Sequence, residues 1–327
     1  MILRIFRSNQ PILFAMLIPI GLMLWFPGLW YSPGAISDFS VLPGLYELLH
    51  PQALLGIGLA FLFLGALVFN QLFQQYDLIE RRNQLPGLCF VLAFSWSPAL
   101  LVYSYFLPGL VFVLLALRRI MQVYRQTWVI REMYDVGLLL GLAALCYLPF
   151  TVLLLAGWLS LIVLRPFIWR EWLALLSGFL TIALLSAGIY YVFMGADWPQ
   201  PWVSTADAPR ALAPAVFKYS AALLFVLLGL VATPTFLQSL GRSTMRNRNL
   251  RLVLVVFGAV TLAIFPLLYF GLPRMNNLQI VGFPIALMLV YAVADKRVNW
   301  MITTLFYILI AMALLMNVGF IFWNQAA

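Results

Sequence analysis

RRNQLPGLCFVLAFSWSPALLVYSYFLPGLVFVLLALRR, residues 81–119, and REMYDVGLLLGLAALCYLPFTVLLLAGWLSLIVLRPFIWR, residues 131–170, are two apolar runs that arginines close at both ends. Each apolar run is roughly 30 residues long, whereas one membrane-crossing helix needs about 20 and a full pair about 40. Each is therefore too long for one straight crossing and short for two. The first run carries Ser95-Trp96-Ser97-Pro98 near its middle and the second Cys146-Tyr147-Leu148-Pro149. Proline disfavours helix at the residue before it, so both runs read as tight hairpins of short helices that leave one membrane face, turn near the other and return.

Composition agrees. Of 327 residues, 65% are hydrophobic and 9% charged, with a mean hydropathy of +1.01. Soluble domains approach a quarter charged residues, so this is the composition of an integral membrane protein. The net charge of +9 would suggest nucleic acid in a soluble chain. Here the basic residues sit in short clusters beside apolar spans, which is the pattern of membrane topology and gives no nucleic-acid partner. Cys89 and Cys146 both lie inside apolar runs and support neither a disulfide nor a metal framework. A single histidine, His50, excludes the usual zinc sets. The basic start at Arg4 and Arg7 resembles a signal peptide, but the long apolar run after it and Pro27-Gly28-Leu29-Trp30 give a retained first helix.

Span length and charged breaks place helices at 11–30, 52–75, 86–97, 99–117, 136–148, 150–164, 172–194, 215–240, 252–271, 278–294 and 299–323. The expected fold is all-α: one transmembrane domain, 1–327, of about eleven helices including the two short hairpins. With the N-terminus in the cytoplasm, all of the 19 basic residues except Arg210, Lys218 and Arg274 fall on the cytoplasmic side, and the C-terminus lies outside. A single crossing in either central run would turn the arginines at 242–251 outward. Trp25, Trp30, Trp158, Trp169, Trp172, Trp300 and Trp323 lie near span ends, the depth indole rings prefer.

The outward loops hold the candidate chemistry. The loop 31–51 carries Asp38, Glu47 and His50 without a basic residue. A carboxylate there can act as a general base or bind a divalent ion holding a lipid phosphate. Alternatively Ser37 or Asp38 caps a short interfacial helix over 39–49. The loop 195–214 carries Trp198 and Trp202 beside Asp197 and Asp207, which suits a sugar-binding surface or plain interfacial anchoring. Arg274, in a tight outward loop, can grip a phosphate bidentately or simply be solvated. On the cytoplasmic side Asp135 is expected to cap the second hairpin and pair with Arg131 or Arg165, and Glu171 to suit the dipole of the next helix. The cluster Arg242, Arg246, Arg248 and Arg251 is placed to meet anionic headgroups. No charged residue lies deep in a span, which argues against ion-coupled transport. No nucleotide-binding or hydrolase motif is present, and no cofactor is identified beyond the divalent metal that an outward carboxylate could bind.

At Leu115-Ala116-Leu117-Arg118-Arg119, Tyr134-Asp135-Val136-Gly137-Leu138, Leu148-Pro149-Phe150, Arg165-Pro166-Phe167-Ile168-Trp169-Arg170-Glu171-Trp172 and Ile280-Val281-Gly282-Phe283-Pro284, the chain resembles a family of uncharacterised polytopic membrane proteins from Bacteroidota. That resemblance spans most of the chain and implies the inner membrane of a Gram-negative cell. More loosely it is similar to the GT-C glycosyltransferases, which take a sugar from a polyprenyl-phosphate donor and have an outward loop with a catalytic Asp after the first helix. That likeness implies Asp38 as catalytic residue; Arg274, Glu47, His50, Trp198 and Trp202, read from the outward loops, are the residues expected toward the substrate, with membrane lipid, including polyprenyl phosphate, as the partner. Asp38 departs from the family in lacking flanking acidic residues, and no large periplasmic domain follows. The alternative is a non-catalytic scaffold or partner subunit in envelope biogenesis or secretion.

Overall fold

A computed structural model describes residues 6, 10, 12–30, 39–40, 51–79, 83–96, 105–194, 202–203, 233–234, 236–238, 240–241, 243–271, 278–293, 303–304 and 306–315, with backbone alone at 27–30, 39–40, 51, 193–194, 202–203, 267–271 and 278. Among the described residues the chain is a bundle of helices, with one pair of two-residue strands. Its elements are α1 (Ile12–Ala15), α2 (Leu17–Trp30), β1 (Phe39–Ser40), α3 (Pro51–Gln75), α4 (Leu85–Ser95), α5 (Phe106–Gln122) and α6 (Ile130–Cys146). After a 3-10 turn at Leu148–Val152 come α7 (Leu153–Leu164), α8 (Trp169–Met194), β2 (Trp202–Val203), α9 (Met245–Gly271) and α10 (Leu278–Val293), and an apolar helix α11 covers Phe306–Leu315. Within α3, α8 and α9, the segments Gln52–Gln75, Trp169–Val192 and Met245–Pro266 are long and apolar enough to cross a membrane. By contrast α4 and α7, of 11 and 12 residues, reach only about 16–18 Å at 1.5 Å per residue.

The second hairpin breaks where the sequence asks. Tyr147 takes extended backbone (φ −142°, ψ 101°), and Leu148 and Pro149 open the 3-10 turn, where the missing proline N–H costs nothing. The chain then returns, because Gly157 of α7 sits against Leu140 of α6. The two helices of this pair nevertheless pack little on each other. α6 lies chiefly against α5 and α8, and α7 against α9. In the first hairpin α3 serves as the common neighbour of α4 and α5. Helices this short bury their flanks against longer ones. A further pairing is parallel: Trp25 Nε1 of α2 donates to Ser95 Oγ of α4 at 2.9 Å, while Leu17 meets Gly87 near the other end of both. Trp25 is thus fully buried between helices. Its indole N–H finds a hydroxyl inside the bundle, which removes the need for water.

Two kinds of contact hold the bundle. Where α6 crosses α8, Gly137 faces Gly178 backbone to backbone; a Cβ on Gly137 would be 2.8 Å from the Phe179 nitrogen, 3.0 Å from the Gly178 Cα and inside the contact radius of the Leu175 carbonyl oxygen. Small residues let helices approach this closely, and Tyr134 and Thr181 share a hydroxyl hydrogen bond at 3.1 Å beside the crossing. Across α3, α4 and α10 the filling is aromatic. Phe69 lies 5.3 Å from Phe90 and 6.3 Å from Phe283, Phe90 lies 4.7 Å from Phe94, and Phe73 lies 5.9 Å from Tyr291, measured between ring centroids.

All charged side chains among the described residues collect at one end of the bundle: Asp77 after α3, Arg118, Arg119 and Arg125 around the end of α5, Arg131, Glu132 and Asp135 at the start of α6, Arg165, Arg170 and Glu171 around the α7–α8 junction, and Arg246, Arg248 and Arg251 at the start of α9. The helices run further into this end than hydropathy suggests: α5 continues past 117 to Gln122, α6 starts at Ile130 instead of 136, and α9 starts at Met245 instead of 252. Arginine and glutamine are good helix formers, so the hydrogen-bond ladder outlasts the apolar pattern. Two local expectations change. Asp135 does not start α6, whose N-cap is Val129 without a side-chain bond, and it pairs with Arg119 of α5 at 3.9 Å rather than with Arg131 or Arg165. Arg165 instead pairs with Glu171 at 3.2 Å, both side chains nearly buried. Glu171 does lie in the first turn of α8, as its charge suits.

Candidate functional site

At the end opposite the charges, Phe39–Ser40 pairs antiparallel with Trp202–Val203, with Phe39 opposite Val203 and Ser40 opposite Trp202. β1 also rests on the end of α6 and on the Leu148–Val152 turn. The two outward loops and the turn of the second hairpin therefore share one end. Residues 39 and 40 are strand, so a capped helix beginning at Phe39 does not form: the backbone groups there bond to the second loop. Trp202 enters through its backbone in this ribbon. Asp38, Glu47, His50, Trp198 and Arg274 lie outside the described residues. Asp38 directly precedes the first paired residue.

At the charged end a cleft of about 530 Å³ opens between the end of α3, the end of α5 with the turn after it, and the start of α9. Tyr76, Met121, Gln122, Tyr124, Arg125, Thr244, Met245 and Arg246 line it. Two left-handed residues that are not glycine flank it, Asp77 (φ 47°) and Arg125 (φ 62°). At the first, Leu78 N–H donates to the Phe73 carbonyl at 3.1 Å and Tyr76 N–H to the Leu72 carbonyl at 3.3 Å, so α3 ends in a Schellman-type wrap with Asp77 where glycine is usual. Aspartate tolerates that conformation through its short polar side chain. Arginine has no such relief, and φ 62° at Arg125 costs on the order of 1–2 kcal/mol.

The walls are cross-tied. Tyr76 donates its phenolic hydrogen to the Arg118 carbonyl at 2.9 Å, joining α3 to α5. Asn247 Nδ2 donates to the Asp77 carbonyl at 3.3 Å, joining α9 to the end of α3. Burial pushes the Tyr76 phenol above its ordinary value, against the pull of Arg118, Arg246 and Arg119. Tyr76 therefore stays a neutral donor at pH 7, and three guanidinium groups make its surroundings electropositive. Behind the cleft, Arg251 is buried 5.7 Å above the Tyr291 ring. Such a desolvated cation–π contact is worth about 2 kcal/mol.

The sequence marks Arg125 for topology and Arg246 for a cluster facing anionic headgroups, and does not bring either together with Tyr76. The one available signal was the polar run Tyr76-Asp77 recurring beside Arg-rich helix ends; the left-handed backbone at Arg125 has no signature in residue type. Among the described residues no cluster of His, Cys, Asp and Glu could hold a metal ion. No protein-family model, no curated protein and no solved structure matches the chain.

Proposed function

We propose that this chain is a multi-pass protein of the inner membrane with its charged end in the cytoplasm, its N-terminus inside and its C-terminus outside, acting as a scaffold or partner subunit in envelope biogenesis or secretion. The observation that carries this reading is the filling of the bundle. Trp25, Phe69, Phe90, Phe94, Phe150, Phe257 and Phe283 are fully buried in its interior, while the polar cleft is open at the charged surface. Among the described residues, an interior packed with rings and with polar groups at its rim suits a protein that is recognised, whereas an enzyme acting on a lipid-linked substrate needs a cavity for the reacting groups. The outer face of α8 supports the membrane setting, with Leu184 71% and Val192 76% exposed on a helix of spanning length. The positive-inside rule gives the orientation.

One observation favours a second reading, a GT-C-like transferase using a polyprenyl-phosphate sugar. The ribbon joins the loop bearing Asp38 to the loop bearing Trp198 and Trp202, as a shared outward site requires. One experiment separates the two. In a strain lacking the gene, Asp38→Asn restores the envelope as well as the unaltered chain does if the protein is a scaffold, and fails to restore it if Asp38 is the general base. Orientation is read with cysteines placed at Arg125 and Gln200 in a chain without Cys89 and Cys146. An impermeant maleimide labels only position 200 from outside, and labelling of both would overturn the topology.

A further inference from the structure

We infer that the cleft between α3, α5 and α9 is a binding site for a phosphate group, held by Arg125 and Arg246 with the first turn of α9. Donors reach it from separate walls. Arg125 comes from the turn after α5, and Arg246 from the opposite wall on α9. The first N–H groups of a helix have no partner inside it; Met245 and Arg246, which open α9, both line the cleft, and Asn247 N–H reaches the Thr244 hydroxyl at 3.5 Å. A helix of 27 residues also brings the positive end of its dipole there. Donors converging from different directions suit a tetrahedral phosphate, which presents acceptors all round, better than a carboxylate, whose two acceptors lie in one plane.

The backbone supports the same conclusion. Arg125 is held at the rim of the cleft by the left-handed turn that follows α5, with its guanidinium 5.5 Å over the Tyr124 ring. Charge is in excess there. Arg125 and Arg246 line the cleft and Arg118 and Arg119 act on Tyr76 in its wall, while the described carboxylates on the packed elements are Asp77, Glu132 and Asp135, the last against Arg119 at 3.9 Å. The phosphate can arrive on a lipid headgroup or free in solution, since the cleft opens at the charged end and is 530 Å³ in volume.

The test uses the full chain in two arms. In neutral detergent after lipid removal, it is titrated with inorganic pyrophosphate and followed by thermal unfolding. In phosphatidylcholine nanodiscs with and without phosphatidic acid, retained lipid is read by native mass spectrometry. Saturation with pyrophosphate identifies a free phosphate, and retention of phosphatidic acid alone identifies a headgroup. In whichever arm binds, Arg125→Gln with Arg246→Gln is expected to weaken binding about tenfold or more, the loss of about 1.4 kcal/mol or more. The control pair Arg131→Gln with Arg170→Gln carries the same change of charge at residues that do not line the cleft and leaves binding within about twofold, because neither can hydrogen-bond the phosphate and exposed charges are screened by salt. Equal loss in the control pair, or binding in neither arm, overturns the site. Arg125→Lys and Arg246→Lys keep the charge and lose the fork, so each weakens binding even where the double variant fails to fold; unchanged affinity in both overturns the site as well.

Discussion

The crossing of α6 on α8 and the packing of α3, α4 and α10 solve one problem in opposite ways. At the first, glycine removes side chains until backbones touch. In the second, phenylalanine rings fill the space between helices held further apart. Apolar burial drives neither once the helices are in lipid, because the tails are as apolar as the side chains, and close packing with local hydrogen bonds must suffice. A backbone contact fails abruptly when an atom is added. A ring contact fails gradually when atoms are removed.

The sharpest break of that comparison is Gly178→Leu. A Cβ alone would overlap the Tyr134 carbonyl and sit 3.0 Å from the Leu138 nitrogen, so a full side chain separates α6 from α8. The expected result is a loss of about 4 kcal/mol or more and a collapse in yield of folded protein, read by size-exclusion in detergent. Next is Phe90→Ala, expected to cost about 3 kcal/mol in thermal unfolding because the cavity left between Phe69 and Phe94 cannot close. Gly157→Ala is tight only against the end of the Leu175 side chain at 3.0 Å, which can swing aside, with Leu140 at an ordinary 3.5 Å, and should cost less than about 1 kcal/mol. Gly188→Ala, with nothing within 4 Å of the added carbon, should be neutral or stabilise by up to about 1 kcal/mol through helix propensity. Non-additivity sharpens the contrast: Gly137→Ala and Gly178→Ala together should cost less than their sum, because the second acts on helices already parted. Full additivity would mean that the two glycines do not share one contact.

Much of the helix plan was legible because apolar runs end where bilayer crossing ends. α3 at Pro51–Gln75 and α10 at Leu278–Val293 match the spans expected at 52–75 and 278–294. The helix ends at the charged surface were not legible, since hydropathy stops at Arg118 while the helix continues to Gln122. Neighbours were misjudged for a related reason. Pro149 tells the chain to turn, but it says nothing about which helix fills the gap, and that choice rests on Gly137, Gly141 and Gly178. The spacing Gly137-Leu138-Leu139-Leu140-Gly141 was open to reading as a close-approach face and was passed over in favour of the charges around it. The cleft depends on which arginines meet across α3, α5 and α9, a tertiary fact. Asp38 and Arg274 stand out in the sequence by the chemistry of a carboxylate and a guanidinium in outward loops, which marks residues without fixing their neighbours.

The ribbon of Phe39–Ser40 with Trp202–Val203 sets an order on biosynthesis. A ribosome adds about 5–20 residues per second, so Phe39 emerges on the order of ten seconds before Val203 exists. In that interval α3 through α8 must be threaded into place, and only then can the two strands meet. The ribbon therefore acts as a late fastening, closed on helices already delivered, and a chain stalled before Trp202 would present its first loop unpaired to whatever protease or chaperone patrols that face.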